Sequence, residues 1–234
     1  MKTAIMQPTF MPWAGYFALI ANVDKFVFLD DVQFDRRSWQ QRNKIFENNN
    51  YTFITIPIIK KNLRLQKIFD TKIDHSSNFK KKIIRKVFQN YSRSKFFANY
   101  KNFIEKILIK DFECISDMNI FIIKEICKEI NINAVFYKSS ELNTEGKKTQ
   151  KLVNICKKLN TSEYISVEGS KNYLEKDLSL FNDNKIKVSY FKFEDQKYET
   201  FYNKFIPKLS IIDLLFNCGS ETKKIIHSGI KNII

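Results

Sequence analysis

A three-layer α/β domain with a mainly parallel sheet and a helical insertion is the fold class that the amino-acid sequence predicts. Three observations carry it. Short apolar runs bounded by turn or charged residues alternate with segments of helical spacing, the pattern of strands buried on both faces and joined by helices. Glycine and proline are scarce, 5 and 4 in 234 residues, which excludes collagen-like and flexible-linker architectures. The chain is 44% hydrophobic and carries 22 Phe, enough apolar material for a core. No repeat, low-complexity linker or composition break divides residues 1–234, so one α/β domain is expected.

The elements follow in order. Lys2 to Met6 and Lys25 to Asp30 are brief apolar runs that suit the middle of a sheet, and Gly15 to Val23 between them is long enough for two or three helical turns. This is a compact βαβ start. Lys44 to Phe46 and Tyr51 to Pro57 flank Glu47 and three asparagines, a polar turn between β-rich segments that predicts a hairpin with Pro57 at its end. From Ser76 to Ile109, Phe79, Ile83, Val87, Phe103 and Ile107 recur at spacings of three and four, which predicts two helices. A third helix over Ser116 to Ile130 completes an insertion at about 76–130. Beyond it the chain alternates: strand Ala134 to Tyr137, helix Thr149 to Leu159, strand Glu163 to Ser166, a short helix near Asn172, strand Ile186 to Phe191, and helices over Leu209 to Phe216 and Glu221 to Ile230. Right-handed crossovers between such strands give a Rossmann-like sheet with helices on both faces.

Forty Lys and Arg against 25 Asp and Glu leave a formal charge of +15, which raises nucleic acid as a partner. Only six of the forty are Arg, and Lys, Ile, Asn and Phe are in excess together, a pattern of AT-rich coding that favours a generally solvated basic surface. Recognition-helix motifs and Arg-rich runs are missing, so nucleic acid is the lesser reading. The four cysteines, Cys114, Cys127, Cys156 and Cys218, form no Cys-x-x-Cys pair, and His75 and His227 are the two histidines. No zinc or redox motif fits these spacings, no metal is expected, and reduced thiols in a cytoplasmic protein are. Pro8, Pro12, Gln7 and Asn22 interrupt the uncharged N-terminal run, which therefore reads as neither signal peptide nor membrane span.

Two loops concentrate the chemistry. Gln7-Pro8-Thr9-Phe10-Met11-Pro12-Trp13-Ala14-Gly15-Tyr16 follows the first strand and opens the first helix, beside free N–H groups that favour anions. Trp13 and Tyr16 offer stacking surfaces and Gly15 a close backbone approach, so a nucleotide or sugar phosphate suits it; a proline-bent turn packed with aromatics is the alternative. Its Phe10-x-Pro12-x-x-Gly15-Tyr16 spacing resembles the loop of nucleotidylyltransferases without that loop's two histidines. The second loop, from Asp30 to Asn43, packs Asp30, Asp31, Gln33, Arg37, Trp39, Arg42 and Asn43 into fourteen residues after the second strand. Asp30 or Asp31 is a candidate general base or cation ligand. Arg37 and Arg42 could hold a diphosphate, and Trp39 could stack on a base or sugar.

Later segments contribute further candidates. Ser166, Gly169 and Ser170 run from a strand end into a helix start and suit either phosphate or a plain cap. Ser210-Ile-Ile-Asp213 reads as a capped helix start, and Asp213 and Asn217, four apart, share a helix face that could meet the cleft.

The two loops together resemble the amino-terminal signature of the WbqC-like family, found among bacterial O-antigen and surface-polysaccharide biosynthesis functions. The likeness continues at Ser139-Ser140-Glu141-Leu142 with Lys148-Thr149, at Tyr164-Ile165-Ser166 with Gly169 and Tyr173-Leu174, and from Pro207 to Gly219. Gln41 departs from the Asn favoured there, keeping an amide of different reach. The resemblance implies modification of an amino sugar: an N-acyl or aminoacyl transfer onto a dTDP- or UDP-linked amino sugar. On that reading Asp30 and Asp31 supply the base and Arg37 and Asn43 steady the oxyanion. Gln7, Pro8, Trp13, Gly15, Tyr16, Gln33, Trp39, Arg42, Ser166, Gly169, Tyr173, Asp213 and Asn217 bind substrate. The donor stays open among an acyl thioester, an aminoacyl carrier and an acyl-adenylate. The alternative is a non-catalytic sugar-nucleotide-binding partner in a biosynthetic complex.

Overall fold

The computed structural model describes residues 1–59 and 65–231. In chain order they form β1 (Lys2–Met6), α1 (Ala14–Ala21), β2 (Lys25–Phe28), β3 (Arg42–Glu47), β4 (Asn50–Thr55), α2 (Phe79–Tyr91), α3 (Phe97–Ile109), α4 (Ile115–Glu129) and β5 (Val135–Lys138). There follow α5 (Lys148–Lys158), β6 (Glu163–Val167), α6 (Lys171–Leu174), α7 (Leu178–Asn182), β7 (Lys187–Phe193), α8 (Ile211–Cys218), α9 (Thr222–Ser228) and β8 (Ile230–Lys231).

The main sheet runs β5-β2-β1-β6-β7-β8, with its first five strands parallel and β8 antiparallel on the edge. Alternation along each strand explains the three layers. Ala4, Phe26, Phe28, Ile165 and Phe191 enter one apolar cluster with Phe17 and Ile20 of α1 and Ile122 and Ile126 of α4. Their neighbours Ile5, Val27 and Tyr164 enter a second cluster with Leu152 and Ile155 of α5 and Phe181 of α7. Successive side chains point to opposite faces, so a strand apolar at every position needs helices on both. Tyr164 stacks on Phe181 at a centroid distance of 5.4 Å, joining sheet to helix on the second face.

Between β2 and α4 the chain leaves the sheet. The β3–β4 hairpin turns through Asn48 and Asn49, whose φ values of 49° and 57° place both in the left-handed region that a two-residue hairpin loop demands and that Asn tolerates. Helix α2 backs the hairpin: Phe46 N–H donates to the Tyr91 hydroxyl at 2.9 Å. Helix α4 is a different case. It leads from the insertion into β5, which pairs in parallel with β2, so it is a crossover helix of the sheet. The helices of the excursion are therefore α2 and α3, ending at Ile109 instead of the expected 130, while the hairpin before them begins the departure from the sheet at Arg42. The C-terminal helix is also shorter than expected, because Ile230 pairs with Phe193 as the start of β8. Among the described residues no helix is long and apolar enough to cross a membrane.

Candidate functional site

The strand order creates the site. From β1 the chain passes through α1 to β2 on one side, and after β5 it crosses back through α5 to β6 on the other side of β1. Connections that diverge from neighbouring strands leave a crevice at their carboxyl ends. Here that crevice is a cleft of about 320 Å³, at the low end of small-molecule sites. Gln7 and Thr9 line it after β1, Ser38, Trp39 and Gln40 from the loop after β2, and Ser166, Ser170 and Tyr173 after β6.

Backbone bonds zip the two signature loops together. Phe10 N–H donates to the Trp39 carbonyl at 2.9 Å, and Gln40 Nε2 donates to Gln7 Oε1 at 2.8 Å. Asn43 Nδ2 donates to the carbonyls of Phe10 (3.0 Å) and Met11 (2.7 Å), and Asn119 Nδ2 on α4 donates to those of Pro8 (3.2 Å) and Gln40 (2.8 Å). Gln41 does similar work, donating to the Ile56 carbonyl at 2.9 Å and accepting from Arg37 N–H at 3.2 Å. Both amide hydrogens of buried Asn43 are thus committed to loop carbonyls. Its expected part in steadying an oxyanion is corrected to a structural one, because a donor spent on a buried carbonyl is not aimed at substrate.

The carboxylates are likewise engaged. Asp30, 1% exposed, accepts from Ser140 N–H (2.9 Å), Ser140 Oγ (2.8 Å) and Ser116 Oγ (3.5 Å), with Ser139 Oγ at 3.1 Å. It straps the end of β2 to the end of β5, and this carboxylate, expected as a candidate base, lies in the buried seam between those strands and is not among the residues that line the cleft. Asp31 is paired with Lys151 of α5 and lies 2.5 Å from Ser139 Oγ; it is not among the residues that line the cleft.

Other predicted residues divide between the cleft and elsewhere. Trp13 stands outside it: its indole packs edge-on to Phe193 at 5.4 Å and lies over Gly15, where a Cβ would come within 2.4 Å of the ring. Gly15 therefore makes room for Trp13, and of the two tryptophans expected to bind substrate only Trp39 lines the cleft. Tyr16 is buried and donates its hydroxyl to the Gln7 carbonyl at 3.0 Å, with burial pushing the phenol well up. Pro8 is buried within the same loop. The Arg42 guanidinium lies 4.2 Å from the Phe53 ring on the hairpin, and Gln33 is exposed in a bridge to Lys67. Arg37 is exposed beside Ser38, in the left-handed region at φ 59°. Neither arginine lines the cleft.

After β6, Ser166 Oγ and Ser170 Oγ stand 2.6 Å apart, and Ser170 Oγ donates to the Val167 carbonyl. Gly169 is exposed, and a Cβ added there would meet nothing within 4 Å, so no close approach requires glycine. On α8, Ser210 caps as expected, accepting from Ile212 N–H at 3.4 Å. Asp213 is fully buried and accepts from the hydroxyls of Tyr91 (2.8 Å), Tyr198 (2.7 Å) and Tyr202 (2.9 Å). Burial, the larger influence, raises its carboxyl above the ordinary range against these lowering bonds. Asp213 thus holds the 194–210 segment to α8, and Asn217 lines a separate cavity; neither meets the switch-point cleft. Sequence reasoning missed Thr9, Ser38 and Gln40 in the cleft and Ser139 and Ser140 as partners of Asp30. The last pairing spans 109 and 110 positions, and only the apposition of β2 and β5 reveals it.

Comparison with known proteins bears on the whole of this arrangement. A family model described as "WbqC-like protein family" matches residues 7–225. A protein of Mycobacterium tuberculosis (strain ATCC 25618 / H37Rv), "Uncharacterized protein Rv1507c", is 33% identical over 222 residues, covering 94% of this chain and 95% of the relative. No solved structure matches.

Proposed function

The chain belongs to the WbqC-like protein family, and from that premise we propose that its switch-point cleft binds a dTDP- or UDP-linked amino sugar for N-acylation or N-aminoacylation in bacterial surface-polysaccharide biosynthesis. The observation that carries the reading is the pairing of aromatic and hydroxyl groups around one crevice. Trp39, 49% exposed, and Tyr173, 51% exposed, offer ring faces for a base or sugar, while Gln7, Thr9, Ser166 and Ser170 offer hydrogen bonds to its hydroxyls. Arg37, adjoining cleft-lining Ser38, is the cation that serves the diphosphate.

In the reaction, the sugar nitrogen attacks the donor's acyl carbon, a C–N bond forms, and the bond from that carbon to the carrier's sulfur or oxygen breaks. The nitrogen loses a proton, and Asp31, which carries Lys151 and Ser139 on its oxygens, is the carboxylate assigned to receive it. Incubation with dTDP- and UDP-amino sugars and a panel of thioester, aminoacyl-carrier and acyl-adenylate donors, read by mass spectrometry, tests this through the added acyl mass. Full activity in Asp31→Asn removes that residue as base.

One observation favours a second reading. The cleft is lined by no carboxylate and no imidazole among the described residues. A non-catalytic sugar-nucleotide-binding partner would need neither, and it is the better account if sugar nucleotides bind while every amino-sugar acceptor stays unmodified.

A further inference from the structure

A second cavity lies away from the cleft and shares no lining residue with it. It measures about 490 Å³, within the size range of small-molecule sites. Its walls are the loop between α2 and α3, the end of α8 and the segment after β7, which contribute Arg93, Lys95, Phe96, Glu199, Phe201 and Asn217.

These walls are held rigidly. Asp213 pins Tyr198 and Tyr202 of the 194–210 segment to α8, and Lys204 Nζ ties the same segment to the Asn49 carbonyl at 2.9 Å. Across the cavity, Phe96 N–H donates to the Phe216 carbonyl at 2.9 Å. The Phe96 ring lies against Gly219, at φ 56°, where a Cβ would come within 2.5 Å of it. A buried carboxylate with its tyrosines is a costly way to fix a surface segment, and what it fixes is this cavity.

The charges on the walls are of both signs. Arg93 lies 5.9 Å from the Phe201 ring and Lys95 lies 5.3 Å from the Phe96 ring, so each cation is stationed at an aromatic wall. Neither of them forms a salt bridge with a described residue, nor does Glu199, whereas Glu221 is paired with Lys224 at 3.7 Å. The Cys218 thiol on the cavity wall is pushed up to about 12, first by burial and then by the charges of Asp213, Glu199 and Glu221, with Lys95 opposing. Glu199 and Lys95 therefore act on one spot. Asn217, 7% exposed, spends Nδ2 on the Asp213 carbonyl at 2.8 Å, and its Oδ1 accepts from no described residue.

We propose that this cavity is a second binding site, for a small zwitterion of the amino-acid class. Arg93 and Lys95 receive its carboxylate, Glu199 and Asn217 Oδ1 receive its ammonium, and Phe96 and Phe201 flank its side chain. A simple anion would leave Glu199 opposed to it, and a simple cation would face two like charges; a ligand carrying both signs satisfies all three groups.

The test uses the full chain and does not rest on the reading of the cleft. Calorimetric titration with each of the twenty amino acids is run beside N-acetyl and carboxamide forms of those that bind, up to about 10 mM, where dissociation constants of about 1 mM or tighter are visible. The exposed substitutions Arg93→Gln, Lys95→Gln and Glu199→Gln are made separately, with melting curves to show that each folds. The expected result is a free amino acid whose affinity falls at least about tenfold when either end is capped or any one of the three charges is removed. The proposal is overturned if no amino acid binds, if binding survives all three substitutions, or if Glu199→Gln and N-acetylation leave affinity unchanged, which would describe a plain anion site.

Discussion

Asp30 and Asp213 occupy closed sockets, one of serine hydroxyls and a backbone N–H, the other of tyrosine hydroxyls, while the cleft between β1 and β6 opens to solvent and presents the half-exposed rings of Trp39 and Tyr173 beside hydroxyl and amide side chains. The contrast separates two uses of polar residues within the same signature stretches. A carboxylate whose oxygens are filled by protein donors fixes two parts of the chain in place, and its removal leaves donors stranded. A polar or aromatic side chain at the mouth of a switch point costs little to remove and touches what enters. Loss of stability and loss of binding should therefore fall on different residues.

The largest effect is expected at Asp213. Replacing it with Ala strands three tyrosine hydroxyls beneath the 194–210 segment and should cost about 3–5 kcal/mol of stability, measured by denaturant unfolding. The same residue gives a pH signature. Because burial raises its carboxyl in the folded chain, the stabilisation its protonated form contributes is complete below the ordinary carboxyl range. That contribution is lost as pH rises through the raised native value. Asp213→Asn, which does not titrate, should lack this decline, so its stability relative to wild type improves with pH across that window; parallel curves would contradict a raised carboxyl at this position.

Asp30→Ala comes next, at about 2–4 kcal/mol, since it frees Ser139 and Ser140 in a buried seam between β2 and β5. A stable Asp30→Ala chain would mean that the carboxylate does not strap these strands together. Trp39→Ala should leave the melting temperature nearly unchanged and weaken sugar-nucleotide binding about tenfold or more, the scale of one lost stacking surface; calorimetry decides. The smallest change is expected for Arg42→Ala, whose guanidinium is stacked on Phe53 outside the cleft, with stability and binding both within about twofold of wild type in equilibrium constant. A large loss of binding there would return Arg42 to the diphosphate.

The short apolar runs and the punctuating polar turns make the sheet legible in the sequence, and Lys2–Met6 has the bounds expected of it. β8 is not legible, since a two-residue edge strand carries no period, and α4 reads as part of the insertion because its amphipathic face is like those of α2 and α3. For the site, loop composition locates the neighbourhood while the orientation of each side chain stays hidden. Asp30 and Asn43 are the residue types that chemistry uses, and they are also the types that satisfy buried backbone and hydroxyl groups. Only their partners distinguish the two. Ser166 and Trp39 reach the cleft because β6 returns beside β1, a consequence of strand order that no local pattern encodes.

Hydrogen–deuterium exchange with and without a bound UDP- or dTDP-amino sugar tests the division between socket and cleft most directly. Slowed exchange in the segments 7–10, 38–40 and 166–173, with 198–203 and 213–217 unchanged, is the predicted result. Protection concentrated at 93–96 and 198–203, or at 139–151 with none in the cleft segments, would contradict it.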